Sequence, residues 1–168
     1  MENQKQMPFV TGPEDGKILA VMGGNYRVLV SGQQTGKAFS TIEMLVPPQN
    51  GPSPHSHADF SESFYILDGE VEVHSEAGVY SAKKGAYVVI PKGGVVHYFK
   101  NVSDQVAKLL CTVVPAGLED FFQEIGEPVG QGEFLPPPQM NAETLQRIQG
   151  LAQSHHQVLY PPDFLDKK

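Results

Sequence analysis

His55 and His57 stand one residue apart in the run PSPHSHADFSESFYILDGE, Pro52 to Glu70, and Glu62 follows five positions after His57. On an extended strand, residues two apart project to one face with Cα atoms roughly 6.6 Å apart, so two imidazoles can converge on one ion. Imidazole nitrogen binds Zn, Fe, Ni or Cu at about 2.0–2.1 Å, and a carboxylate offsets part of the cation's charge. Glu62 can be that carboxylate. It lies an odd number of residues beyond His57, so it reaches the same interior only if the chain turns and starts a new strand. Glu62, Phe64 and Ile66 would then face inward together. A third histidine, His97, lies in GAYVVIPKGGVVHYFKN, where Pro91-Lys92-Gly93-Gly94 makes a turn between two strands and His97 shares a face with Phe99. A lone histidine is more often a hydrogen-bonded residue than a ligand; three with a carboxylate favour a metal.

The other histidines read differently. His74 follows Glu70 and Glu72 at period two in GEVEVHSE, on the solvated face opposite Val71 and Val73. His155 and His156 end a helix, where a cation complements the helix dipole and solvent exposure is expected. Asp59 either hydrogen-bonds a ligand ring or faces solvent, and solvent is the reading preferred. Cys111, in KLLCTVV, reads as a small buried side chain within a strand rather than a catalytic thiol.

These side chains need a scaffold. Frequent Gly and Pro divide the chain into short segments that, before residue 115, alternate apolar and polar residues or are rich in Val, Ile, Tyr and Phe. The pattern predicts strands near Lys17–Met22, Tyr26–Val30, Phe39–Val46, Ser53–His57, Glu62–Leu67, Glu70–Ser75, Gly78–Ser81, Tyr87–Ile90, Val96–Lys100 and Ala107–Val114. Asp68-Gly69 predicts a two-residue hairpin pairing Glu62–Leu67 with Glu70–Ser75. Short strands without interleaved helices indicate a sandwich or barrel. After Pro115, Leu118, Phe121, Phe122 and Ile125 fall at helical spacing and should pack on the barrel. Glu127–Gln139, rich in Pro and Gly, reads as an ordered or semi-rigid connector leading to Asn141 as helix N-cap. The helix Ala142–Ser154 follows, and its apolar side of Leu145, Ile148, Leu151 and Ala152 either packs in the core, covers a barrel mouth or meets a neighbouring subunit. The expected divisions are N-terminal strands at 1–38, a barrel core at 39–114 and a helical extension of the same domain at 115–168.

Composition excludes several classes. The 168 residues suit one domain. A net charge of −7 gives no electrostatic footprint for nucleic acid or anionic lipid. One cysteine permits no intrachain disulfide framework. The N-terminus MENQKQMPFVTG lacks a basic patch followed by an apolar run, and no apolar stretch nears the ~20 residues that span a bilayer. The expectation is a soluble cytoplasmic protein with neither nucleic acid nor membrane as partner.

The two chemistry-bearing stretches resemble the paired motifs of the cupin superfamily. In the first, His55, His57, Glu62 and Gly69 match in type and spacing, while Gln49 occupies the leading glycine position and the nearest glycine is Gly51. In the second, Gly85, Pro91, Gly93, His97 and Asn101 match, except that three residues rather than two separate Gly93 from His97. The resemblance covers about Phe39 to Val114. It implies an all-β double-stranded β-helix, the cupin jelly-roll barrel, with two C-terminal α-helices, and a metal site of His55, His57, Glu62 and His97. It implies one divalent transition metal as cofactor (Fe, Ni, Mn, Co, Zn or Cu), whose open positions suit oxygen chemistry. Phe60, Phe64, Tyr65 and Phe99 can supply a dry pocket or simply fill the core. Likeness to single-domain quercetinase-like cupins implies a dioxygenase acting on a small phenolic or enolic compound, with Glu62 as ligand or catalytic base. A non-catalytic small-molecule-binding or sensor cupin and a metal-dependent isomerase are the alternatives. A homodimer is also implied.

Overall fold

The computed structural model describes residues 7–166. The parts of the N-terminal and terminal-segment readings that fall on 1–6 and 167–168 lie outside the described residues. In chain order the elements are β1 (Lys17–Val21), β2 (Gly24–Val30), α1 (Gly32–Thr35), β3 (Ser40–Val46), β4 (His55–His57), β5 (Ser61–Asp68), β6 (Glu70–Ser75), β7 (Gly78–Lys83), β8 (Tyr87–Ile90), β9 (His97–Lys100), β10 (Ala107–Val114), α2 (Leu118–Ile125), β11 (Glu127–Pro128), α3 (Ala142–Ser154) and β12 (Gln157–Leu159). They form two antiparallel sheets, a seven-stranded one ordered β11-β1-β2-β3-β10-β5-β8 and a five-stranded one ordered β12-β4-β9-β6-β7. This is an all-β jelly roll with C-terminal helices.

Alternation builds the interior. Ile42, Met44 and Val46 of β3 and Ala107, Leu109, Cys111 and Val113 of β10 are fully or almost fully buried, while the residues between them face outward. A period-two pattern with one apolar face buries that face only if a second sheet lies over it. Val71 and Val73 of β6 and Phe99 of β9 come from that second sheet and complete a single core. On β2 both faces are covered: Asn25 donates to the carbonyls of Gly130 and Glu133, and Arg27 donates to those of Gly12, Pro13 and Asp15. Buried polar side chains thus satisfy loop carbonyls that water would otherwise have to reach. The Pro-rich connector is held there, and through β11 it also pairs with β1.

One expected pairing is overturned. β5 and β6 do not form a hairpin; β5 pairs with β10 and β8, whereas β6 pairs with β7 and β9 in the other sheet. Asp68 still belongs to β5, opposite Lys108, so Gly69 alone separates the two strands. One residue cannot make a two-residue turn, and the chain bends at a sheet corner instead of reversing. Gly69 has φ 72°, and a Cβ there would stand 3.0 Å from the Ala107 Cα. Glycine serves this close corner, not a hairpin.

The expected helices form. Asn141 caps α3 by accepting from the Thr144 amide at 2.9 Å. Leu118 and Phe121 of α2 and Ile148 and Ala152 of α3 are buried, and both helices sit over the open end of the barrel. α1, β11 and β12, with two to four residues each, were not expected. No helix of the described residues is long and apolar enough to cross a membrane.

Candidate metal centre

The interior places all four sequence-derived candidates together. β4 presents His55 and His57, β5 presents Glu62 and β9 presents His97, with His55 the Cα partner of His97. One potential ligand atom from each of the four lies within 4.8 Å of the others. Glu62, Phe64 and Ile66 are buried on one face of β5, as the restart of the strand requires. His57, Glu62 and His97 are buried, and His55 is partly open to a cavity.

Hydrogen bonds fix the imidazoles. Nδ1 of His55 faces the Ser53 carbonyl at 2.9 Å, that of His57 the Phe60 carbonyl at 2.9 Å, and that of His97 the Val95 carbonyl at 3.0 Å. A carbonyl only accepts, so each Nδ1 carries a proton, and in the neutral ring each Nε2 is left with a lone pair. Phe60 also stacks on the His57 ring, centroids 4.1 Å apart. Glu62 divides its oxygens: Oε1 accepts from the Cys111 thiol at 3.3 Å, while Oε2 lies 3.4 Å from His57 Nε2 and 3.5 Å from His97 Nε2. His57 Nε2, His97 Nε2 and Glu62 Oε2 have no hydrogen-bond partner. Burial would push the Glu62 carboxyl up; only where the His57 and His97 rings carry a second proton do their hydrogen bonds outweigh this and hold it below the usual carboxylate range. Burial, followed by the neighbouring His97, pulls the His55 imidazole down to about 4 against the opposing charge of Glu62. The cluster therefore collects acceptors around a negative charge and lacks donors. A shared cation satisfies such a set, and the residues fit a divalent metal.

The ends of the two motifs show what their asparagine and glycine do. Asn101 is fully buried; its Nδ2 donates to the Val46 and Gln105 carbonyls at 2.8 and 2.7 Å, and its Oδ1 accepts from the Ser103 amide and hydroxyl. Its own carbonyl accepts from the Gln49 amide at 2.7 Å. The ends of the two motifs are thus stapled together beside β4 and β9. Gly51 is required there: a Cβ would meet the Phe99 carbonyl oxygen at 2.0 Å.

Above the cluster lies a cavity of about 400 Å³. His55 and Glu62 form its floor; Phe64 and Phe99 form part of its apolar wall; and all four apolar residues of α2, with Leu145 and Ile148 of α3, close it. On the apolar side of α3, Ile148, Leu151 and Ala152 pack with the core, while Leu145 and Ile148 line the barrel mouth. Tyr65 is a correction to the expected pocket: it is 40% exposed on the outer face of β5, because it has the opposite parity to Phe64. Phe60 backs the His57 ring instead of lining the cavity.

Residues match the cupin domain model over 42–113. The chain carries a cupin domain. The chain is 22% identical over 130 residues to quercetin 2,3-dioxygenase of Bacillus subtilis, covering 77% of this chain but only 38% of that relative's length. Its fold is similar to an RmlC-like cupin from Shewanella frigidimarina, with TM-score 0.57 and 19% identity, covering 69% of this chain and 97% of that one. It is also similar to a predicted oxalate decarboxylase from Thermotoga maritima, with TM-score 0.57 and 22% identity over 64% of this chain and 99% of that one.

The remaining candidates lie outside the cluster. His74 is on the outer face of β6 as expected, yet half-covered, stacked on Tyr98 and 3.1 Å from Glu72. His156 pairs with Asp59 at 3.0 Å in solvent, and His155 joins α3 to Glu124 of α2 at 2.8 Å. Sequence reasoning placed Cys111 in a buried strand but missed its contact with Glu62. Its shared parity with inward-facing Leu109 and Val113 was the available signal. Tyr26 was missed as a cavity residue; burial, then the nearby Cys111 and Glu62, raise its phenol so that it stays protonated.

Proposed function

We propose that His55, His57, Glu62 and His97 hold one divalent transition-metal ion, and that the protein is a dioxygenase acting on a small phenolic or enolic compound. The observation that carries this reading is the buried, donor-free cluster at the floor of a largely apolar cavity. The sequence similarity to quercetin 2,3-dioxygenase supports the choice of reaction class. When bound, the ion would supply a Lewis-acid site for an oxygen donor and for dioxygen.

The chain's own residues do the rest. Carbonyls of Ser53, Phe60 and Val95 hold the rings with Nε2 directed inward. Cys111 holds one carboxylate oxygen of Glu62 and leaves the other for the ion or for a substrate proton. The helices α2 and α3 limit water access and present apolar surface to a flat ring. Metal analysis of the purified protein, then anaerobic reconstitution and oxygen uptake with catechols, flavonols and diketones, tests the proposal. Oxygen consumption is expected with at least one metal and substrate class. A tightly held ligand recovered unchanged would instead mark a binding or sensor cupin. Solvent deuterium entering substrate without oxygen uptake would mark an isomerase. A homodimer is part of the same proposal, measurable by sedimentation.

A further inference from the structure

We propose that Gln157 is a positioning residue whose side-chain Nε2 donates a hydrogen bond to a second oxygen of the ligand anchored at the histidine–glutamate cluster. The site would then favour apolar ligands with two adjacent oxygens. This inference rests on the proposed metal-anchored, oxygenated ligand.

Three observations carry it. First, β12 pairs with β4 in register, Gln157 opposite His57 and Leu159 opposite His55. Paired residues of antiparallel strands share a face, so the C-terminal strand places Gln157 beside a cluster histidine. Second, Gln157 is only 4% exposed, lines the cavity, and its Nε2 has no partner. A buried donor without an acceptor is unfavourable and usually marks a missing partner. Third, the ion itself cannot be that partner. An amide nitrogen offers donors and no lone pair, so a cation that satisfies the imidazoles and Glu62 leaves Gln157 unmet. A hydrogen-bond acceptor in the cavity meets it. Much of the cavity lining, including Phe64, Leu118 and Ile148, is apolar, which favours an acceptor at the edge of the ligand close to the cluster.

The test uses the full chain loaded anaerobically with Co²⁺, with 4-nitrocatechol as the two-oxygen probe and 4-nitrophenol as the one-oxygen probe, both followed by visible absorbance. Gln157→Met removes the donors with little change in size. The expected result is binding of 4-nitrocatechol weakened about tenfold, as loss of one hydrogen bond implies, with 4-nitrophenol unaffected. The metal-free variant should melt at or above the wild-type temperature, because an unmet buried donor has been removed. Co²⁺ uptake with equal catechol affinity in both proteins would overturn the inference alone, as would equal weakening of both probes with a lower melting temperature, the mark of a purely structural residue. Failure of the wild type to take up Co²⁺ would overturn the metal reading, and this inference with it.

Discussion

Removing the charge at Glu62 separates the metal reading from a self-sufficient polar core. In the metal-free protein, three buried acceptors, His57 Nε2, His97 Nε2 and Glu62 Oε2, lack partners. Each unmet buried group costs about 1–3 kcal/mol. Glu62→Gln keeps an oxygen for the Cys111 thiol and puts an amide donor where Oε2 faces the two imidazoles. At least one unmet interaction is thereby restored, a gain of about 1–3 kcal/mol. For a domain of this size that raises the melting temperature of the metal-free protein by roughly 2–10 °C. The metal response should move the other way. A divalent ion at a hundred times its dissociation constant stabilises the wild type by about 2.7 kcal/mol, or roughly 5–10 °C, and the variant far less. Differential scanning calorimetry of EDTA-stripped protein, with and without Mn²⁺, Co²⁺, Ni²⁺ and Zn²⁺, reads both effects. A metal-free variant less stable than wild type would show that a protonated imidazole already pairs with the carboxylate. Full metal stabilisation in the variant would remove Glu62 from the ligand set.

Other consequences follow from contacts around the cluster. Cys111→Val removes the donor to Glu62 Oε1 and should lower metal affinity at least tenfold, with Cys111→Ser restoring much of it; isothermal titration measures both. Asn101→Ala strips the bonds that staple the motif ends and should destabilise the protein by about 2–4 kcal/mol in urea unfolding, whereas a loss under 0.5 kcal/mol would deny the staple. Ile148→Ala should cost about 2 kcal/mol, the low end for buried Ile because one side already meets a cavity, and should enlarge the space available to bulky ligands in a competition assay.

Much of this protein follows from local pattern. Alternation in TIEMLV and KLLCTV marks strands with one buried face, and the structure buries Ile42, Met44, Leu109 and Cys111 accordingly. The candidate cluster was equally readable, because His55-x-His57, Glu62 and His97 declare their potential donor atoms by residue type, and period two declares which face neighbours on one strand share. What a strand pairs with is another matter. Glu62–Leu67 and Glu70–Ser75 satisfy hairpin parity equally well whether they pair or separate; their separation depends on β10 and β8 competing for β5, and on the close approach of Ala107 to Gly69. The three-residue β12 carries no periodic signal and exists through its contacts with β4. Sequence therefore determined the donors and the faces they occupy. Tertiary structure decided which distant strands meet, and so delivered Cys111 to Glu62, Gln157 to His57 and two helices to the mouth of the barrel, because those contacts depend on burial shared among segments far apart in the chain.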